Sequence, residues 1–296
     1  MISTKRSKRL HLLLLLAMTL GSRSAFAQVS LTGDWQQTDR TLPVIADYYV
    51  GDFTALPIKS AALQGGDSWD ESRWSQPERQ CTPYGASQVF RNAASVRFSE
   101  ERDPLTQELV AIKIFVSTFA QPRTIWMDGR PHPSKYAPHT WQGFSTGKWN
   151  GNILTVTTTH LKQFWHRRNG IFTTAWMVVT EQFLRHGGHM TIVSMIDDPA
   201  ILTEPLVYSA NLVNSADVQA GAWQTHGNCQ IDIEIVGRAT GYVPHVFPDP
   251  KSGVEFATKF GLPLEATRGG AETIYPEYIT KLRKLFEAAN QRVASR

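Results

Sequence analysis

The middle of the chain, from about residue 88 to residue 234, is a series of short runs that alternate apolar and polar residues or are rich in β-branched residues. Such runs are typical of β-strands. Turn sequences that contain glycine separate several of them, and glycine and asparagine supply the positive φ that tight hairpins require. Short strands joined by hairpins favour an antiparallel sheet that closes on itself or stacks on a second sheet. The strand-like runs include residues 109–118, 124–127, 153–159, 176–184, 190–196 and 230–236, and the turn sequences are Asp128-Gly129, Asn150-Gly151-Asn152 and Gly187-Gly188.

Two Gly-x-Trp elements bear on the choice between these architectures. Gly33-Asp34-Trp35 precedes the first strand-like runs, and Gly147-Lys148-Trp149 leads into one of them. A Gly-x-Trp on the first strand resembles a feature of lipocalin-like barrels, in which the Trp closes one end of the core. We therefore predict a mainly β fold, an antiparallel lipocalin-like barrel with a C-terminal helical extension. A β-sandwich is the alternative.

The N-terminus has the pattern of a targeting segment. Four basic residues between positions 5 and 9 precede a mostly apolar stretch at 10–20, and Ala25-Phe26-Ala27 gives a small-x-small cleavage site. We predict that residues 1–27 are a signal peptide and that the protein is exported, to the periplasm or as a secreted protein. The apolar stretch has about 11 residues, fewer than the roughly 20 of a permanent membrane helix, so we expect no stable membrane insertion after cleavage. An N-terminal membrane anchor is the alternative.

Cleavage of this segment changes the charge of the protein. The full chain has a formal net charge of +4 and a pI near 9.1. Residues 1–27 contain five basic and no acidic side chains, so the chain from Gln28 onward has a charge of −1. A nearly neutral protein offers no electrostatic footprint for a polyanion, and we expect no nucleic-acid partner.

The two cysteines, Cys81 and Cys229, lie far apart in the sequence. In an oxidising compartment they are expected to form one disulfide between the early and late parts of the chain. Two buried thiols are the alternative.

The strand pattern ends well before the C-terminus. Residues 28–245 are predicted to form the barrel domain, in which the irregular segment 41–80 serves as a long covering arm. Residues 246–296 are predicted to form a helical extension that packs on the barrel, because Pro276 opens a run with apolar residues at helical spacing. These apolar residues are Tyr278, Ile279, Leu282, Leu285, Phe286 and Ala289.

His160 and Glu181 are the leading candidates for acid–base chemistry. By strict alternation along its strand, His160 shares a face with Val156 and Thr158, which places it at the mouth of the barrel interior. Glu181 shares a face with Val179 and other apolar residues. A carboxyl group there has a raised pKa unless it is paired.

The connection between these two strands supplies possible partners for Glu181, namely Arg167, Arg168 and Asn169. A histidine and a carboxyl group in an apolar pocket can transfer protons to and from a substrate. The predicted catalytic residues are His160, Glu181, Arg168 and His139.

Two alternatives use the same residues differently. One is a metal site with mixed histidine and carboxylate ligands, for which the candidates are His139, His160, Glu181 and His245. The other is a polar network that holds strands and loops together, in which Glu181 is bridged to an arginine. Apart from that metal ion no cofactor is expected, since the chain has no nucleophile elbow and no phosphate-binding glycine loop.

Five of the nine tryptophans fall between Arg123 and Pro205, and aromatic walls suit a hydrophobic or aromatic ligand. We predict that a small molecule of this kind binds in the barrel interior. The oligomeric state is left open. The predicted ligand-binding residues are Trp141, Trp165, Trp176, Phe172, Asn169 and His245.

A set of motifs extends over most of the chain from about Trp69 onward. They include MDGRPHP at 127–133, HTW at 139–141, GFSTGKWNG at 143–151, TTTHLK at 157–162, RRNG at 167–170, VPH at 243–245, GGAET at 269–273 and YPEY at 275–278. In these motifs the chain resembles a large uncharacterised group of exported bacterial proteins. The resemblance implies a shared fold and brings no established activity.

The chain departs from the pattern of that group at two places. Glu181 is followed by Gln182 where the group tends to have Glu-His, and residues 171–176 replace a Pro-x-Ser-Asp run with more apolar residues. Both changes imply altered chemistry or a different substrate. The sequence thus favours a cofactor-independent acid–base enzyme of isomerase, lyase or hydrolase type that acts on a hydrophobic or aromatic substrate. A non-catalytic periplasmic binding or carrier protein is the alternative.

Overall fold

The computed structural model describes residues 29–38, 50–69, 81–91, 95–116, 120–167, 169–215, 239 and 254–294. Its strands are β1 (Gly33–Gln37), β2 (Ser95–Arg102), β3 (Leu109–Val116), β4 (Arg123–Trp126), β5 (Phe144–Asn150), β6 (Ile153–Thr159), β7 (Trp165–Arg167), β8 (Ile171–Phe172), β9 (Val178–His186), β10 (His189–Asp197) and β11 (Leu206–Asn214). Nine of them form a closed barrel in the order β1-β11-β10-β9-β6-β5-β4-β3-β2, while β7 and β8 form a separate two-stranded sheet. The predicted barrel is confirmed. The strand expected at 230–236 lies outside the described residues.

Two of the three predicted hairpins are present. The chain turns from β5 into β6 at Gly151, whose φ is +59°, and from β9 into β10 at Gly187, whose φ is +60°. The prediction is wrong at Asp128-Gly129, because β4 and β5 pair in parallel. This is the exception in a barrel whose other neighbouring strands run antiparallel.

The parallel pairing of β4 with β5 determines the path of the segment between them. Parallel neighbours cannot be joined by a tight turn, since the chain must return along the length of the strands before the second one begins. Residues 127–143 make this return without regular secondary structure, and we call them the crossover. His132 in the crossover hydrogen-bonds to Thr146 on β5 and to Thr159 on β6, which holds the segment against the barrel wall.

The barrel interior is filled by side chains. A first apolar cluster contains Trp35, Phe90, Phe98 and Phe183, and the three phenyl rings contact one another at centroid distances of 5.7 to 6.5 Å. The indole N–H of Trp35 donates to the carbonyl of Leu31 at 3.0 Å, so this fully buried ring has its polar atom satisfied. The core is therefore packed rather than hollow at this level.

A second apolar cluster lies farther along the same strands, and a polar layer separates the two. On β9 the buried Glu181 lies between Phe183 of the first cluster and Val179 of the second. On β10 the buried Ser194 lies in the same layer, since it is the register partner of Glu181.

Helices are confined to the segments around the barrel. They are α1 (Leu63–Asp67), α2 (Ala86–Val89), α3 (Glu255–Phe260) and α4 (Glu277–Ala294), with 3-10 turns at Ser60–Ala62, Leu264–Ala266 and Ala271–Ile274. Within the described residues, no helix combines the length and apolar character that crossing a membrane demands.

The described part of the predicted arm, residues 50–69, is joined to the C-terminal region. The amide of Phe53 donates to the carbonyl of Thr267 at 2.9 Å, and the amide of Gly270 donates to the carbonyl of Leu56 at 2.9 Å. In α4 the hydroxyl of Tyr278 donates to the carbonyl of Glu265 at 3.1 Å, whereas Ile279 is 54% exposed.

Candidate functional site

A cavity of about 580 Å³ lies between the crossover and the barrel wall. Three parts of the chain line it: the crossover, the end of β6 and the segment that leads into β9. Thr158 and Val179 are buried toward the interior, so their neighbours Thr159 and Val178, which line the cavity, face outward. The cavity is therefore on the outer side of the sheet. Its lining residues are His132, Pro133, Lys135, Tyr136, His139, Thr159, His160 and residues 175–178.

We call this space the histidine cavity, because three imidazoles border it. A chain of hydrogen bonds connects two of them: His160 Nε2 lies 2.9 Å from the carbonyl of Ser134, His160 Nδ1 lies 2.7 Å from Thr159 Oγ1, and His132 Nδ1 lies 2.7 Å from the same hydroxyl. His132 Nε2 completes the chain at 2.8 Å from the hydroxyl of Thr146.

The carbonyl of Ser134 fixes the direction of this chain, since a carbonyl can only accept. His160 Nε2–H must donate to it, which leaves Nδ1 of a neutral imidazole to accept from the Thr159 hydroxyl. That hydroxyl in turn accepts from His132 Nδ1–H, and His132 Nε2 accepts from Thr146. Both imidazoles are thus satisfied in the neutral state. The pKa of His132 lies below its ordinary value because burial disfavours the charged ring and because His160 is near.

The position of His160 corrects the prediction made from strand alternation. β6 ends at Thr159, and His160 has a φ of 58°, in the left-handed region that residues other than glycine rarely adopt. Alternation does not continue through such a backbone. The side chain consequently turns to the outer surface and bonds to Thr159 and Ser134 instead of facing the mouth of the interior.

His139 lies beside this chain and does not belong to it. Its Nδ1 is 2.9 Å from the carbonyl of Leu161 and donates to it, and its ring centroid is 5.3 Å from that of His160. In the neutral tautomer set by that bond, Nε2 carries a lone pair. This atom has no hydrogen-bond partner among the described residues.

Two large aromatic side chains at the cavity are open to solvent. Tyr136 is 84% exposed and Trp176 is 78% exposed, although both are of a size that normally packs against other groups. Pro133, Met177 and Val178 add apolar surface. Exposed aromatic surface around a concave site is typical of a binding surface.

Glu181 is on the other side of the sheet from the histidine cavity. Its carboxylate forms a two-pronged ion pair with Arg123, in which Nη1 donates to Oε1 at 3.1 Å and Nη2 donates to Oε2. Arg123 also donates to Ser145 Oγ at 3.2 Å and to Thr158 Oγ1 at 2.8 Å. The predicted pairing of His160 with Glu181 in one pocket is therefore wrong, and the buried network with an arginine is what the structure contains.

The arginine of this network differs from the predicted partners. Arg167 donates to the carbonyl of Thr54 at 2.9 Å, and Asn169 donates from Nδ2 to the carbonyl of Asp52, so both hold the covering arm. Arg168 lies outside the described residues, as does His245. Arg123 was missed because it comes from β4, 58 residues before Glu181, and only its alternation with the buried Ile125 could have indicated an inward position.

The other predicted ligand-binding aromatics are in a third cluster and are not among the residues that line the histidine cavity. Trp165 and Phe172 contact Trp69 edge-on at centroid distances of 6.1 and 5.9 Å, and Trp141 contacts Phe164 at 6.4 Å. These are packing contacts. Of the predicted site residues, His139, His160 and Trp176 are brought together, and His132, Lys135 and Tyr136 join them.

A second buried polar group supports the segment that leads into the cavity. His166 Nε2 lies 3.2 Å from Asp198 Oδ2, and Asp198 also accepts from the amide of Thr174 at 2.7 Å and from its hydroxyl at 2.6 Å. Burial lowers the pKa of His166, although Asp198 opposes this. Burial alone would raise the pKa of Asp198, but the hydrogen bonds from His166 and Thr174 outweigh it and lower that pKa. Thr174 thereby stays fixed two residues before Trp176.

Three of the residues predicted to bind a metal are described, and these three do not converge. Among the described residues, no group of three or more His, Cys, Asp or Glu side chains has an arrangement that could hold a metal ion. Glu181 is engaged by Arg123, and His139 and His160 are the two metal candidates that lie together.

Comparisons of the chain with protein-family models, with curated proteins and with solved structures give no match.

Proposed function

We propose that this chain is an exported protein that binds a small hydrophobic or aromatic molecule in the histidine cavity. The observation that carries the proposal is the cavity itself, about 580 Å³ with two exposed aromatic walls, Tyr136 and Trp176. Its volume is in the range of about 300–1,000 Å³ that small-molecule sites occupy, and a few polar groups among apolar surface are typical of such sites. The ligand site is thus on the outer side of the barrel, because the described interior is filled by side chains.

Acid–base catalysis is the second candidate, and His139 favours it. A histidine that is oriented through Nδ1 by a carbonyl presents Nε2 in a fixed direction, as general bases do in many hydrolases and isomerases. The strained backbone of His160 beside it also belongs to a class of features that cluster at functional sites. In this version the protein transfers a proton to or from its ligand without an organic cofactor.

Native mass spectrometry of the full-length protein tests binding. We expect a small molecule retained by the wild type to be lost in Trp176→Ala and kept in Phe115→Ala, which removes a partly exposed aromatic from β3. Loss from both variants or from neither contradicts the proposed site.

Once a ligand is identified, His139→Gln separates the two functions, since a catalyst loses turnover while affinity is kept and a carrier shows no turnover in either form.

Export has its own test. The protein expressed with residues 1–27 in a bacterial host should be recovered from the periplasm or medium with an N-terminus at Gln28, as measured by intact-mass analysis. A cytoplasmic protein that retains residues 1–27 would contradict this part of the proposal.

A further inference from the structure

The polar groups that the histidine cavity presents to a ligand are mostly hydrogen-bond donors. Both ring nitrogens of His132 and of His160 are occupied within the hydrogen-bond chain. The side-chain groups left are the Lys135 ammonium, the Tyr136 hydroxyl, the Trp176 indole N–H and His139 Nε2, none of which has a hydrogen-bond partner among the described residues. An ammonium and an indole N–H can only donate, a hydroxyl can do either, and Nε2 of a neutral His139 can only accept, so three of the four groups can donate.

The charge of the lining has one sign. Among the described residues that line the cavity, Lys135 is the one Lys or Arg, and none is an Asp or Glu. The Lys135 ammonium lies 5.1 Å from the ring centroid of Tyr136, so the charge stays near the aromatic wall. Asp197, the register partner of Val178, does not line the cavity.

From this lining we infer that the ligand is an organic anion with an apolar body, such as an aromatic or aliphatic carboxylate. This inference rests on the proposed function. The anionic group is bound by Lys135 and by the neighbouring N–H and O–H donors, because a cation and donors around a site whose described lining has no carboxylate favour an acceptor with negative charge. The apolar body packs on Trp176, Met177 and Val178. A protonated His139 adds a further donor at Nε2.

Three probes of one shape test the charge preference: 2-naphthoate, 2-naphthylmethanol and 2-naphthylmethylammonium, titrated into the full-length protein by calorimetry. We expect naphthoate to bind about tenfold or more tightly than the neutral alcohol, and the ammonium probe to bind most weakly. Lys135→Gln should weaken naphthoate binding by about two- to fivefold and leave the alcohol unchanged, and added salt should weaken naphthoate alone.

Lys148→Gln is the matched control, because Lys148 is an exposed lysine on β5 outside the cavity and its loss changes the net charge equally. If the alcohol or the ammonium probe binds as tightly as naphthoate, or if the two lysine variants behave alike, the inference of an anion is wrong while the binding site stands. If none of the three probes binds, the proposed function fails and the inference fails with it.

Discussion

The Arg123 guanidinium and the Glu181 carboxylate face each other inside the barrel, with 1% and 0% of their side-chain surfaces exposed. They connect β4 with β9 across the interior, and Ser145 and Thr158 each accept one further guanidinium hydrogen. A buried ion pair of this kind gains little over apolar packing, but loss of one partner strands a charge in a medium that solvates it poorly.

Removal of either partner should therefore lower the free energy of unfolding strongly. We expect Glu181→Leu and Arg123→Met each to lower the free energy of unfolding by about 3–5 kcal/mol, as measured by urea denaturation. The double variant should be more stable than either single one, because it leaves no unpaired charge. Single losses below about 1 kcal/mol would show that water reaches the pair.

The Thr159 hydroxyl is predicted to fasten the crossover to the barrel. Thr159→Val removes the group that joins His132 to His160, and we expect a loss of about 1 kcal/mol together with faster amide hydrogen exchange in residues 131–139. Thr155→Val is the control, since it makes the same change on the same face of β6, and Thr155 pairs with Lys148 on β5 rather than with the Thr146 that bonds to His132. Equal exchange in both variants would contradict a fastening role for Thr159.

The free energy of unfolding should depend on pH through the two histidines whose pKa values are lowered. The pKa values of His132 and His166 lie below the ordinary 6.5, first of all because both rings are desolvated. The unfolded state then binds protons more strongly, so the free energy of unfolding is fully maintained above about pH 6.5 and falls as the pH drops below it. Urea midpoints from about pH 5 to about pH 8 should show this slope. The slope should be smaller in His132→Gln, and a midpoint that rises on acidification would refute the assignment.

The Cys81–Cys229 disulfide stays a prediction, since Cys229 lies outside the described residues. Peptide mapping of the full-length protein without reductant should recover the two cysteines in one linked peptide pair that separates on reduction. Recovery of both as alkylated thiols before reduction would support the alternative of two buried thiols.

The barrel was predictable because its signals are local. Alternation within each strand and the glycines at positions 151 and 187 specify strands and hairpins without knowledge of distant residues. The parallel pairing of β4 with β5 had no such signal, because Asp128-Gly129 has the composition of a hairpin turn. Since that pairing determines where the crossover lies, the outer position of the site could not be read from the sequence.

The candidate site was predictable only in part. His139, His160 and Trp176 were recognised from their chemistry, and they do lie together. The partner of Glu181 is 58 residues away on another strand, so its identity depends on tertiary pairing. Hydrogen bonds to Ser134 and Thr140 maintain the left-handed backbone at His160. No local sequence pattern predicts such a conformation for a residue other than glycine.

The location of the ligand is tested most directly by NMR of the full-length protein with ¹⁵N-labelled histidine, titrated with 2-naphthoate. We predict that the ring nitrogen signals of His139 shift progressively to saturation and that those of His166, buried beside Asp198, stay in place. His139→Gln identifies the cavity signal by its absence. Saturable binding that moves His166 and leaves His139 unchanged, or a titration in which no cavity histidine responds, would contradict the histidine cavity as the binding site.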